Sequence, residues 1–152
     1  MHGFKTIIET NRTVLRPFTM DDVEPSYEMN LDPEVTRHTH DGGVQSRPEI
    51  HERIKGIIEG DYVKYGYGRF AVIDKQSNSF IGFCGLKFLP EFAVVDIGYR
   101  FKKAFWGKGL ATETARASLE FGFNKMGIEK IYGIAVAENP ASIRVMEKLG
   151  FS

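Results

Sequence analysis

Residues 105–113 read FWGKGLATE, and this stretch decides the fold. Here the alternating apolar pattern of a strand gives way to the spacing of a helix, and Gly107 and Gly109 flank Lys108. Glycine lets the backbone turn tightly and approach another molecule closely. A helix that begins here exposes unpaired N–H groups and about half a positive charge, which suits a phosphate. The pattern alone is compatible with a tight turn or with a phosphate site.

The sequence on both sides of this stretch predicts a mixed α/β architecture. Before it, the segments YGRFAVID, SFIGFCGLKFL and FAVVDIGYRF read as three strands with short connections, the first of them KQSN, which favours an antiparallel meander. After it, apolar residues at helical spacing predict a helix from Gly109 to about Lys125, and GIEKIYGIAVA reads as a further strand. The two strands around this helix form a β-α-β unit, so we expect them to be parallel neighbours.

The remaining segments complete a predicted order of β-α-α-β-β-β-α-β-α. The segment TIIETNRTVLRPF reads as one strand, and a helix follows that Thr19 caps with help from Asp22. The segment RPEIHERIKGIIEG predicts a second helix, ended by Gly60, and NPASIRVMEKLGF predicts a short final helix.

Composition excludes several classes of protein. The 152 residues fit a single domain over residues 1–152, and 20 basic residues balance 20 acidic ones, so no global field attracts nucleic acid or a membrane surface. No signal segment or membrane span is evident, and the one cysteine, Cys84, cannot form an internal disulfide. We therefore expect a cytoplasmic protein with Cys84 in the core. His38, His40 and His51 lack the partners that a metal site needs, and we predict none.

Two nucleotide-binding motifs can be tested against the glycine stretch, and neither fits. No G-x-x-x-x-G-K-[ST] run of a P-loop occurs in the chain. The dinucleotide motif G-x-G-x-x-G has Thr112 at its third glycine position, and the acid after the next strand, Glu138, lies too far along the chain.

Three stretches instead resemble the GNAT superfamily of acetyl-CoA-dependent N-acetyltransferases: TNRTVLRPFTMDD, VDIGYRFKKAFWGKGLATET and IAVAENPASIRVMEKLGF. Together they span residues 10–151, and the branch most similar contains the ribosomal-protein alanine and serine acetyltransferases and the spermidine acetyltransferases. The resemblance implies the GNAT fold, a mixed and mostly antiparallel sheet with a central β-α-β unit and flanking helices. It also implies acetyl-CoA as co-substrate.

The resemblance implies a set of cofactor-binding residues. In the family, backbone N–H groups of the glycine loop hold the pyrophosphate, the preceding strand pairs with the pantetheine arm, and an asparagine after the next strand bonds to that arm. Here Ala104 replaces the Gln or Arg that opens the family's loop pattern, which removes a side chain but keeps the backbone donors. The matching positions are Phe105, Trp106, Gly107, Lys108, Gly109 and Leu110 in the loop, Tyr99, Arg100 and Phe101 in the strand, and Asn139. Strand packing for the first three side chains and a helix cap for Asn139 are the alternatives.

The resemblance also implies direct acetyl transfer to an amine. The amine must first lose a proton, and Asp96 matches the family's acidic residue on the strand before the glycine loop. The alternative is that Asp96 faces solvent or pairs with a cation. A backbone N–H freed by a bulge on the same strand is expected to stabilise the carbonyl oxygen. Where many relatives have a tyrosine that protonates the leaving thiolate, this chain has Met146, and Ser142 is the substitute candidate, equally readable as a polar residue of the first helical turn.

Other interpretations stay open at the level of sequence. A non-catalytic acyl-CoA-binding module and an interaction domain that keeps only the fold are alternatives to the enzyme. Relatives continue past the final GF with two more strands, so we expect a C-terminally truncated domain, whose open sheet edge makes a homodimer reasonable. The amine acceptor is a protein N-terminus or a small molecule, and the sequence does not decide between them.

Overall fold

A computed structural model describes residues 5–36 and 45–133 of the chain. Within these residues, six strands form one sheet in the order β1-β2-β3-β4-β5-β6. The strands are β1 (Ile8–Glu9), β2 (Thr13–Pro17), β3 (Arg69–Asp74), β4 (Ser79–Leu89), β5 (Val94–Phe101) and β6 (Ile131–Gly133). The helices are α1 (Val23–Asn30), α2 (Pro33–Thr36), α3 (Arg47–Gly56), α4 (Tyr62–Tyr65) and α5 (Leu110–Glu120). No helix in the described part of the chain is long and apolar enough to cross a membrane.

The strand pairing confirms the predicted meander and the predicted β-α-β unit. Neighbouring strands from β1 to β5 are antiparallel, and the loop of residues 75–78 joins β3 to β4. β5 and β6 pair in parallel, with Val95 opposite Ile131, and α5 connects them. This connection places the N-terminus of α5 at the carboxyl end of β5, because a crossover helix runs back along its sheet.

The N-terminal segment contains two strands, so the prediction of a single strand was wrong there. The chain reverses at residues 10–12, where the Thr10 N–H donates to the Thr13 carbonyl at 2.9 Å and β1 folds back on β2. The apolar pattern hid this turn because both short strands carry apolar residues. Thr19 does precede a helical segment as predicted: a 3₁₀ turn at Met20–Asp22 leads into α1, and the Asp22 carboxylate accepts from the Thr19 N–H at 2.8 Å.

The second helical segment runs past Gly60, where the sequence predicts a stop. α3 continues through a π-helical segment, Ile57–Asp61, into α4, and Gly66 with φ of 76° ends the run. A glycine inside a helix costs only about 1 kcal/mol. Burial of Ile57 and Tyr62 on either side of Gly60 offsets that cost.

Two hydrophobic clusters lie on opposite faces of the sheet. One packs α5 against side chains such as Leu15, Phe70 and Ile97, and it contains the fully buried Cys84 predicted for the core. Burial raises the pKa of the Cys84 thiol. The other cluster packs α1, α3 and α4 against Ala71 and Phe80. Alternate residues of the strands therefore face different helices.

The Tyr62 hydroxyl connects three elements and provides a test of this packing. It accepts from the Phe18 N–H at 2.9 Å and donates to the Arg69 carbonyl at 2.6 Å, and the residue is only 2% exposed. We expect Tyr62→Phe to lower the free energy of unfolding by about 2 kcal/mol, because two buried backbone groups lose a partner. Urea denaturation measures the change.

The matched control is Tyr65→Phe, since the Tyr65 ring packs against Phe88 at 5.0 Å between ring centroids and its hydroxyl makes no hydrogen bond to a described residue. We expect a change within about 0.5 kcal/mol for this variant. Equal losses in the two variants would contradict the role given to the Tyr62 hydroxyl.

Candidate functional site

The glycine stretch forms the connection between β5 and α5. After Phe101 the chain makes a 3₁₀ turn at Lys103–Phe105, and α5 begins at Leu110. Gly107 and Gly109 have φ values of 74° and 79°, in the left-handed region that other residues adopt only with strain. The two glycines therefore let the chain pass from strand to helix within a few residues.

A row of backbone amides at this connection has no hydrogen-bond acceptor in the part of the chain that the structure describes. The N–H groups of Phe105 and Trp106 donate to the carbonyls of Lys102 and Lys103 inside the 3₁₀ turn. The next bonded amide is that of Glu113, which donates to the Gly109 carbonyl at 3.0 Å. The unused donors are thus those of residues 107–112, at the positive end of α5. Of the six loop residues predicted to offer amides, Phe105 and Trp106 use theirs locally.

The space beside these amides suits an anionic group. A Cβ atom built on Gly107 would meet no atom within 4 Å. The Lys108 ammonium lies 5.4 Å from the centre of the Phe105 ring and adds positive charge. The Trp106 indole N–H donates to the Phe101 carbonyl at 2.9 Å, which fixes a ring that is still 44% exposed. Open backbone donors, positive charge and room for a ligand make this connection a fit for a diphosphate.

A cluster of Thr10, Arg12 and Glu113 contacts the connection through the Lys108 carbonyl. This cluster was not predicted from the sequence. The Arg12 guanidinium donates to the Lys108 carbonyl at 2.8 Å and to Glu113 Oε1 at 2.8 Å. Glu113 Oε2 accepts from the Thr10 hydroxyl at 2.7 Å and from the Arg12 N–H at 3.0 Å. Burial by itself raises the pKa of Glu113, but these bonds outweigh it and the pKa is lowered. About a hundred residues separate the partners, so no local pattern indicates the contact.

The side chains of the predicted pantetheine strand take part in packing. Tyr99 and Phe101 face α5, with their ring centroids 6.2 Å apart. Arg100 points to the opposite face, where it donates to Asn30 Oδ1 at 2.7 Å and lies 5.4 Å from the centre of the Phe83 ring. The contacts seen within the described residues are thus strand packing, the alternative weighed from the sequence, together with the bond from Arg100 to Asn30.

Asp96 is buried on β5 and pairs with a cation. Its Oδ1 lies 3.1 Å from Nη2 of Arg69, and the same guanidinium donates to the Gly85 carbonyl at 2.7 Å. Gly98 makes room for Arg69, since a Cβ atom there would lie 2.6 Å from Nη2. The ion pair was the alternative to a catalytic role. It reduces the attraction that Asp96 alone would exert on an ammonium group.

The expected bulge on β5 is absent from its pairing with β4. That ladder keeps one register from Gly82 opposite Phe101 to Leu89 opposite Val94. The register shift among the described strands lies instead between Val72 and Ile73, where β3 pairs with β4. An amide freed by a bulge is therefore not available on that side of β5.

A cavity of about 290 Å³ lies next to the start of the glycine connection. Residues of α1, α2, the link between them and the segment after β5 form its walls: Glu28, Met29, Asp32, Val35, Lys102, Lys103 and Ala104. Carboxylates and ammonium groups thus share one opening at the carboxyl end of β5.

Several residues that the sequence analysis discusses lie outside the described part of the chain. These are Asn139 and Ser142, the Met146 that replaces the family's tyrosine, and the histidines His38 and His40. His51 is described, and its exposed ring contacts Glu52 at 3.2 Å.

Comparison with known proteins identifies the family. Residues 12–152 match the family profile of the acetyltransferase (GNAT) domain. The uncharacterized protein YkkB of Bacillus subtilis strain 168 is 33% identical over 151 residues, which cover 96% of this chain and 85% of that protein.

Solved structures share the fold. A GNAT-family acetyltransferase from Bacillus anthracis superposes with a TM-score of 0.79 at 29% identity, covering 95% of this chain and 82% of its own. RimL, a ribosomal L7/L12 alpha-N-protein acetyltransferase solved in complex with coenzyme A, gives a TM-score of 0.81 at 20% identity, with coverages of 97% and 84%. The chain therefore belongs to the GNAT family of acetyl-CoA-dependent N-acetyltransferases.

Proposed function

We propose that this chain, acting as one domain, transfers the acetyl group of acetyl-CoA to a primary amine of a protein N-terminus or a small molecule by direct attack. The single observation that carries the proposal is the row of unused amides at residues 107–112, at the N-terminus of α5. A diphosphate is the part of coenzyme A that such donors suit, because it brings concentrated negative charge and several acceptor oxygens.

The glycine connection binds the donor in this proposal. The amides of Gly107, Lys108, Gly109 and Leu110 donate to the diphosphate, and the Lys108 ammonium adds charge. β5 lies alongside the pantetheine arm, and Asn139 bonds to that arm. RimL, which shares the fold, was solved with coenzyme A, and this supports the assignment.

Asp96 provides the base in the proposed reaction. An ammonium group has no lone pair, so the acceptor must lose a proton before it attacks the thioester carbonyl. Asp96 accepts this proton through water, and its Oδ1 lies 3.1 Å from Nη2 of Arg69. The C–S bond breaks as the N–C bond forms, and the second proton of the attacking nitrogen passes through the Ser142 hydroxyl to the departing sulfur. Ser142 ends neutral, and the proton on Asp96 leaves to solvent.

The cavity at the carboxyl end of β5 lies close to the proposed diphosphate site. Its wall residue Lys102 follows Asp96 by six residues along an extended strand, which at about 3.3 Å per residue puts roughly 20 Å between the cavity and the proposed base. The cavity is therefore too far from Asp96 to hold the attacking amine, and the ammonium groups of Lys102 and Lys103 add positive charge near the diphosphate.

One observation favours a second candidate, a non-catalytic module that binds acyl-CoA. Asp96 is already paired with Arg69, and a paired carboxylate attracts an ammonium group less strongly than an isolated one. The two candidates share the cofactor site and differ in turnover alone.

Gly107→Ala tests the cofactor site. We expect this variant to weaken binding of coenzyme A by about tenfold, because the new methyl group enters the open space beside the amides and displaces hydrogen bonds to a charged group. Isothermal titration calorimetry measures the dissociation constant, and urea denaturation measures the accompanying loss of stability.

Gly127→Ala is the matched control, since Gly127 has φ of 67° and, like Gly107, has no atom within 4 Å of the position that a Cβ atom would take. Both substitutions place alanine in the left-handed region, at a cost of about 1 kcal/mol each. If the two variants weakened coenzyme A binding equally, the assignment of the site would fail.

Asp96→Asn separates the enzyme from the binding module. We expect release of coenzyme A from acetyl-CoA, followed with a panel of amines, to fall at least about a hundredfold, because a positioned base contributes that much. Calorimetric binding of coenzyme A should stay unchanged.

Asp21→Asn serves as control because Asp21 is exposed, and it should keep full turnover. A wild-type protein that binds coenzyme A tightly but releases none from acetyl-CoA with any amine would favour the binding module. Unchanged turnover in Asp96→Asn would remove Asp96 from the mechanism.

A further inference from the structure

We propose that Thr10, Arg12 and Glu113 act together as positioning residues that aim the amides of the glycine connection at the donor; we name this set the clamp. The proposal rests on the proposed function, since it assigns a role in binding the diphosphate. None of the three residues needs to touch the ligand, because the clamp acts through the backbone of Lys108 and Gly109.

The clamp first sets the orientation of the peptide group between Lys108 and Gly109. In a trans peptide the C=O of one residue and the N–H of the next point in opposite directions. The Arg12 guanidinium holds the Lys108 carbonyl at 2.8 Å, so the Gly109 N–H must point away from Arg12. Gly107 and Gly109 tolerate many backbone conformations, and this peptide would rotate easily without such a contact.

Glu113 fixes the guanidinium that holds the carbonyl. Arg12 Nε and Nη2 both lie 2.8 Å from Glu113 Oε1, which leaves Nη1 directed at the Lys108 carbonyl. Such a planar fork is more rigid than a single contact from a flexible amine. Glu113 lies in the first turn of α5, so Arg12 binds both the connection and the helix.

The turn between β1 and β2 provides the second set of contacts to Glu113. Glu113 Oε2 accepts from the Thr10 hydroxyl at 2.7 Å and from the Arg12 N–H at 3.0 Å. Thr10 is itself held by Thr13, since the Thr13 N–H donates to the Thr10 hydroxyl oxygen at 3.0 Å. The clamp therefore ties the glycine connection to the sheet through the first hairpin.

Charge gives the clamp a second effect. A carboxylate near the N-terminus of α5 would repel a diphosphate bound there, and Arg12 compensates that charge. Removing Arg12 alone would both release the Lys108 carbonyl and leave Glu113 without its cation. Removing both side chains would release the carbonyl but also remove the repulsion.

The experiment compares coenzyme A with pantetheine, which lacks the diphosphate. Dissociation constants come from calorimetry for coenzyme A and from NMR titration for pantetheine. We expect Arg12→Gln to weaken coenzyme A binding about tenfold or more, as for loss of a hydrogen bond to a charged group, with pantetheine binding unchanged. Arg12→Lys keeps the charge but not the fork, so its effect should lie between wild type and Arg12→Gln.

Two further variants test the effect of the Glu113 charge and the effect of removing an ion pair elsewhere on the surface. The double variant Arg12→Gln with Glu113→Gln should bind coenzyme A at least as tightly as Arg12→Gln alone. Arg47→Gln is the control, because Arg47 pairs with Glu24 at 2.6 Å on an exposed surface away from the connection. It should leave both dissociation constants unchanged.

The outcomes separate the clamp from the proposed function. If wild type bound coenzyme A no more tightly than pantetheine, the diphosphate site and the clamp would both be wrong. If wild type preferred coenzyme A and Arg12→Gln kept the whole preference, the site would stand and the clamp would be overturned. Higher backbone mobility of Gly107 and Gly109 in ¹⁵N relaxation of free Arg12→Gln, together with the lost preference, supports the clamp.

Discussion

The passage from β5 into α5 is the constraint on which the rest of the structure depends. α5 must return the chain to a strand parallel to β5, so its N-terminus has to lie at the carboxyl end of that strand. Two glycines in the left-handed region make the passage short. A short passage has no residues left over to cover the first turn of the helix, and its amides stay unused among the described residues. The same geometry that closes the β-α-β unit thus leaves a row of unpaired amides at the start of α5, where we propose the diphosphate binds.

Successive side chains of β5 point to opposite faces of the sheet, and the two faces differ in polarity. Val95, Ile97 and Phe101 pack under α5 and hold the helix on the sheet. Asp96 and Arg100 point to the other face, where Arg69 and Asn30 meet them. Apolar packing therefore fixes the helix that carries the amides, while the polar groups lie on the face of α1. In the proposed reaction the donor and the acceptor use these different surroundings.

Glycine gives the connection its shape and also makes it easy to deform, so rigidity has to come from elsewhere. Two contacts provide it: within the connection, the indole N–H of Trp106 donates to the Phe101 carbonyl, and from the first hairpin, the guanidinium of Arg12 donates to the Lys108 carbonyl. Both hold backbone carbonyls and leave amides available. A site made of backbone donors does not depend on particular side chains, because every residue except proline carries an N–H group. Ala104 in place of the family's Gln or Arg therefore leaves these donors intact.

The sequence by itself determined the strands of the meander, the helix after the glycines and the parallel pair, because alternation, helical spacing and glycine preference are local properties. The resemblance of three stretches to known proteins indicated the family. The sequence also placed Cys84 in the core. It misjudged the first hairpin and the end of the second helix, where burial of Ile57 and Tyr62 outweighs the cost of Gly60. Only the tertiary structure decided that Asp96 faces Arg69 and that Arg12 reaches Glu113 and Lys108. Those contacts join residues far apart in the chain, and their existence depends on how the sheet brings its strands and helices together.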